Sequence, residues 1–146
     1  MALATRPVYH LLCGMALEVI LKAVLAQRGQ PIRAIHRLNN LADEVGLDRS
    51  DAERQLLRYY SEVLYWAGKY PTPKDPTDGK LTDYFALAVD TLTIRKPLTP
   101  GALLAQVISS GVDHWESFHA LWQRAAALFV CAGLDVRVFV KVPDTD

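Results

Sequence analysis

From Val8 to Ala26 apolar residues occur around almost the whole circumference of a helix. Leu11, Leu12, Met15, Val19, Ala23 and Ala26 make one face, and Leu17, Ile20, Leu21, Val24 and Leu25 cover most of the rest. The helix runs to about Arg28, where Gly29 and then Pro31 stop it. An all-round apolar helix belongs at the centre of a bundle or has a second buried face in an oligomer, and both are expected here. His10, Gly14, Glu18 and Lys22 interrupt it as a single polar stripe.

Shorter amphipathic segments follow. Leu38, Leu41, Ala42 and Val45 predict a second helix after His36 that ends at Gly46. Ser50 and Glu53 form a capping box that opens a third, with Leu56, Leu57, Tyr60, Val63, Leu64 and Ala67 as its buried stripe and Arg58 with Glu62 as a surface pair. Pro71, Pro73 and Pro76 then forbid regular structure in a long loop over residues 70–79. A fourth helix after Asp78 is expected to bury Leu81, Tyr84, Phe85, Ala88 and Leu92, and to close before Pro97. Thr99 as N-cap and Pro100 at the first helical position predict a fifth, carrying Leu103, Leu104, Val107 and Ile108 to Gly111. Asp113 and Glu116 read as the capping box of a last helix with Trp115, Phe118, Trp122, Ala125, Ala126 and Phe129 on one side. From Leu134 to Val142 the period changes to two, as in a strand that would pair with its own copy, with another protein or lie over the bundle.

The predicted fold is therefore all-α: an up-and-down bundle of five to six helices over residues 1–133, with a short extended C-terminal strand in the tail 134–146. A chain of 146 residues suits one domain and one core. Sixteen basic and sixteen acidic residues cancel, so no overall positive field draws nucleic acid, and any such site must be a local patch. Cys13 and Cys131 lie in apolar segments, where free cysteine acts as a small hydrophobe, and a reduced cytoplasmic setting is expected. Although the first segment is long enough to span a membrane, it carries Glu18 and Lys22, and each mid-bilayer charge costs about 2.5–3.5 kcal/mol. A signal peptide is not expected either, because no basic stretch precedes the segment and no small-residue cleavage site follows it.

Three features resemble the HEPN superfamily of helical domains: Ala16-Leu17-Glu18 with Lys22-Ala23, His36 followed by Leu38 and Leu41, and Trp66-Ala67-Gly68-Lys69-Tyr70-Pro71. They cover residues 8–73, about half the chain. The resemblance implies a helical bundle, usually a homodimer, that binds RNA or nucleotides, often in toxin-antitoxin or antiviral defence systems beside a nucleotidyltransferase-type antitoxin partner. Active ribonucleases of the superfamily carry arginine followed, after four to six residues, by histidine. Here three residues separate Arg6 from His10, seven separate Arg28 from His36 and two separate Arg33 from His36. Lys69 stands where the family often has arginine, which keeps the charge but loses the bidentate fork.

Candidate chemistry follows from these residues. Glu18 and Lys22 have the spacing and order of an intrahelical ion pair, which either stabilises the helix or fixes registry, or presents Lys22 to a phosphate. His36, between Arg33 and Arg37, is either a hydrogen-bonded helix-end residue or a general acid or base whose neighbouring arginine stabilises transition-state charge. Lys69 and Tyr70 either anchor the turn or grip a phosphate while a base stacks. Three functions remain open: a module binding RNA or a nucleotide through Glu18, Lys22, Arg37, Lys69 and Tyr70; a metal-independent ribonuclease using His36, His10 and Arg33; and a catalytically silent interaction domain. His114 and His119 are wrongly spaced for two ligands on one helical face, and neither a metal nor a cofactor is expected.

Overall fold

The computed structural model describes residues 6–67, 78–101 and 103–129. Its core is set by α1, Arg6–Gln27, which packs on α2, Leu38–Val45, on α3, Asp51–Glu62, and on α5, Trp115–Ala127. Cys13, Leu17, Leu21, Val24 and Leu25 line its inward face against Leu38, Leu41, Leu56, Leu57, Tyr60, Leu64 and Leu121. The polar stripe faces inward as well. Gly14 packs closely there: a Cβ would stand 3.1 Å from Cγ of Leu64, whose side chain would have to give by a few tenths of an ångström.

Local signals fix the helix ends. Gly46 takes the left-handed conformation, φ 74°, and the Leu47 amide donates back to the Ala42 carbonyl, which closes α2. Ser50 accepts from the Glu53 amide while the Glu53 carboxylate accepts from the Ser50 amide, so α3 begins on the expected capping box. Buried Arg49, in the connector between α2 and α3, clasps α2 and its end through the Leu47 and Asn39 carbonyls, the Asn39 side chain and Asp43.

After Glu62 the helix widens into a π-helical turn, Val63–Ala67. The wider turn buries Val63, Leu64 and Trp66 and leaves Tyr65 on the surface. Glu62, expected to pair with Arg58, instead accepts a hydrogen bond from Nε1 of Trp66 at 3.1 Å.

Helix α4, Asp78–Leu92, packs on α3. Tyr84, Ala88 and Leu92 turn toward the core with Leu87, whereas Leu81 and Phe85 are exposed, contrary to expectation.

The all-α expectation is corrected between α4 and α5. Where a fifth helix was predicted, β1, Thr93–Pro97, and β2, Ala105–Ser109, form an antiparallel pair with Ile94 opposite Ile108 and Arg95 opposite Val107. Thr93, Ile94, Val107 and Ile108 are β-branched and suit extended backbone. Thr99 and Pro100 lie in the connecting turn, so their cap-like order starts no helix. The capping box predicted for α5 is absent too: His114 is the N-cap residue, with no side-chain cap bond, and the Asp113 carboxylate turns to His10.

The domain is thus mostly helical with a two-stranded sheet. Helix α1 is, by length and composition, able to cross a membrane, yet its inward face is packed within the domain. The expected strand over 134–142, Cys131, Lys69 and Tyr70 lie outside the described residues.

Candidate functional site

Glu18 draws two partners together, Lys22 and His36. Lys22, one turn further along α1, donates from Nζ to Oε1 at 2.5 Å. His36, on the connector leading into α2, places Nδ1 at 3.0 Å from Oε1 and 3.1 Å from Oε2. Burial raises the carboxyl pKa of Glu18, but the hydrogen bonds from Lys22 and His36 and their charges outweigh it and hold the group below the usual carboxylate range. Only 12% of the Glu18 side chain is exposed, against 42% for His36, so the acid supports the imidazole from behind. A carboxylate on Nδ1 fixes the tautomer and orientation of the ring. Nε2 has no partner among the described residues.

His36 lines a groove of about 380 Å³ together with Arg37, Ser61, Glu62, Tyr65 and Lys80. Arg37 is exposed just before α2, and Lys80, in the first turn of α4, lies 5.0 Å from the centre of the Tyr65 ring. Ser61 is engaged within the fold: its hydroxyl accepts from the Leu38 amide at 3.0 Å and donates its only proton to the Leu57 carbonyl at 2.7 Å. The groove therefore offers two permanent cations, one imidazole, one carboxylate and an open aromatic ring, all of which can engage a phosphorylated, planar ligand.

Of the residues singled out from the sequence, Glu18, Lys22, His36 and Arg37 come together here. Arg33 is exposed on the same connector but does not line the groove. Glu62, Tyr65 and Lys80 were missed. Their only sequence signal is the spacing of Glu62 and Tyr65 within one turn, which reads as ordinary helix surface until the π-helical turn and α4 set them side by side.

His10 occupies a different, closed environment. It is 2% exposed, with Nε2 at 2.9 Å from Oδ2 of Asp113 and Nδ1 at 3.0 Å from the Tyr59 hydroxyl. The hydrogen bond from His10 lowers the Asp113 pKa more than burial raises it. With both ring nitrogens engaged, His10 has none left for a substrate. It joins α1 and α3 to the turn before α5. Cys13, nearby on α1, is buried as well, and burial pushes its thiol up and away from thiolate character.

Among the described residues, no three of histidine, cysteine, aspartate or glutamate gather as a metal site. The fold and groove define a mostly helical domain with a small cationic cleft backed by a carboxylate-histidine pair. No family model, curated protein or solved structure matches the chain.

Proposed function

We propose that the chain is a HEPN-like binding module that takes a nucleotide unit, free or within single-stranded RNA, in the groove between the connector before α2 and the facing turns of α3 and α4. The observation that supports this best is the joint hold of Glu18 on Lys22 and His36, which keeps an oriented imidazole at the rim of a groove also lined by Arg37 and Lys80. Arg37 and Lys80 take the phosphate and Tyr65 stacks on the base. The setting is cytoplasmic and fits a toxin-antitoxin or defence system, with a nucleotidyltransferase-type protein as partner. Two copies meet through the outer face of α1, where Val8, Leu12, Met15 and Val19 are all about half-exposed or more.

A second reading, metal-independent ribonuclease, is favoured by the Glu18–His36 contact alone. Nε2 of His36 would take the proton of a ribose 2′-hydroxyl as that oxygen attacks the adjacent phosphorus. The 5′-oxygen would leave with a proton from a second group, and Arg37 or Arg33 would stabilise the added negative charge.

The test is titration of a fluorescent single-stranded RNA in chelator. Binding should weaken with salt and fall at least about fivefold in both Arg37→Ala and Lys80→Ala, as expected when a phosphate contact is removed. Cleavage lost in His36→Ala would select the ribonuclease. Absence of binding, or binding indifferent to both substitutions, would sink the groove as the site.

A further inference from the structure

The cations of the groove are blind to base identity, because every nucleotide offers them the same phosphate. Selectivity must come from groups with unspent, directional hydrogen-bonding capacity. Ser61 does not qualify as a reader of donors and acceptors together, since its only O–H is spent on Leu57 and one of its two acceptor lone pairs on Leu38. Glu62 has acceptor capacity unspent. Its Oε2 accepts from Nε1 of buried Trp66 at 3.1 Å, and Oε1 has no partner among the described residues. The indole thus holds a half-buried carboxylate in a fixed orientation on the groove wall, three residues before the exposed Tyr65 ring.

A carboxylate accepts and cannot donate. Guanine is the base whose Watson–Crick edge presents two adjacent donors, N1–H and the N2 amino group, in the pitch of a carboxylate. Adenine and cytosine each set one amino donor beside a ring nitrogen that repels the carboxylate. Uracil flanks its single N–H with two carbonyl oxygens. The Tyr65 ring is 44% exposed, and Lys80 Nζ stands 5.0 Å from its centre on one side. The exposed part of the ring offers a stacking surface to a purine.

Resting on the nucleotide reading above, we infer that the groove selects guanine, with Glu62 pairing to its Watson–Crick edge, Tyr65 stacking on it, and Arg37 and Lys80 holding its phosphate. Glu62 is then a specificity-determining residue rather than a source of affinity for nucleotides in general.

Calorimetric titration at low salt with GMP, IMP, AMP, CMP and UMP tests this. GMP should bind about 5- to 150-fold more tightly than AMP, CMP or UMP, the discrimination expected of one bidentate contact. IMP, which lacks the N2 amino group, should fall between. Glu62→Gln retains an oxygen for Trp66 but replaces an acceptor with a donor. It should therefore weaken GMP binding and erase the preference, while AMP and CMP, whose ring nitrogens then face an amide donor instead of a carboxylate, bind as tightly as before or more tightly. Tyr65→Ala should weaken all five. A UUGUU oligonucleotide compared with UUAUU separates a strand-reading site, which favours the former more than GMP over AMP, from a free-nucleotide pocket, which does not. Equal binding of the five nucleotides, or a preference that survives Glu62→Gln, overturns the inference and leaves the nucleotide site standing. Absence of binding by every nucleotide and oligonucleotide overturns both.

Discussion

Asp113 can be read in two ways that predict different energetics. As the N-cap suggested by its place before an apolar helix, it would affect α5 alone, and Asp113→Ala would cost about 1 kcal/mol independently of any distant residue. In the structure its carboxylate instead meets Nε2 of His10 at 2.9 Å, with 2% of His10 and 3% of Asp113 exposed. Removing it leaves a buried imidazole nitrogen unsatisfied, at a cost of about 1–3 kcal/mol. Because those ranges overlap, the informative quantity is coupling. In a cycle of Asp113→Ala, His10→Ala and the double variant, residues sharing a hydrogen bond should show an interaction of about 1–3 kcal/mol, whereas independent sites add to within about 0.5 kcal/mol.

Urea unfolding followed by far-ultraviolet circular dichroism gives the measurement. With a denaturant slope of about 1–3 kcal/mol per molar, Asp113→Ala should lower the midpoint by roughly 1 M without changing the slope. Glu116→Ala is the matched control, an exposed acid in the first turn of the same helix. Additivity of the two single variants, or a loss for Asp113→Ala no larger than for Glu116→Ala, would refute the clasp and restore the cap.

Two further outcomes follow from the same geometry. Glu18 and Asp113 both have carboxyl pKa values held below their ordinary range in the folded chain, so their stabilisation is complete above the unfolded values of about 4 and is lost as pH falls through the depressed folded values. Unfolding midpoints measured down to acid pH should therefore decline below about pH 4, and less steeply in Asp113→Asn, which cannot ionise; an unchanged acid limb would contradict the role of the pair. If the outer face of α1 joins two copies, Val19→Asp should yield monomers by sedimentation without changing the helical signal, and a wild-type chain already monomeric at high concentration would exclude that interface.

The helical part of the fold was legible because its signals are local. Gly46 and the Ser50–Glu53 box mark boundaries through backbone conformation and capping that need no distant partner. The failures share the opposite cause. Thr99, Pro100 and the spacing of Leu103, Leu104, Val107 and Ile108 satisfy a helix template, yet Val107 and Ile108 lie across from Arg95 and Ile94 in a sheet pairing that only tertiary context supplies. Asp113 has the sequence position of a cap but is taken by a histidine 103 residues away. Leu81 and Phe85 fit an apolar stripe on α4, yet α3 receives only the side bearing Tyr84 and Ala88.

The candidate site divides along the same line. Glu18 and Lys22 are neighbours by helical spacing, so their pairing could be read directly; His36 joins them only because α2 folds back on α1. The π-helical turn carries the larger consequence. An ordinary helix advances 100° per residue, and the wider turn delays that advance, so Trp66 reaches the core while Tyr65 stays outside. Trp66 can then brace Glu62 from within, as Glu18 braces His36 on the other side of the groove. The imidazole and the carboxylate of the cleft are thereby each oriented by a partner one layer deeper. Such preorganisation favours directional recognition over simple charge attraction.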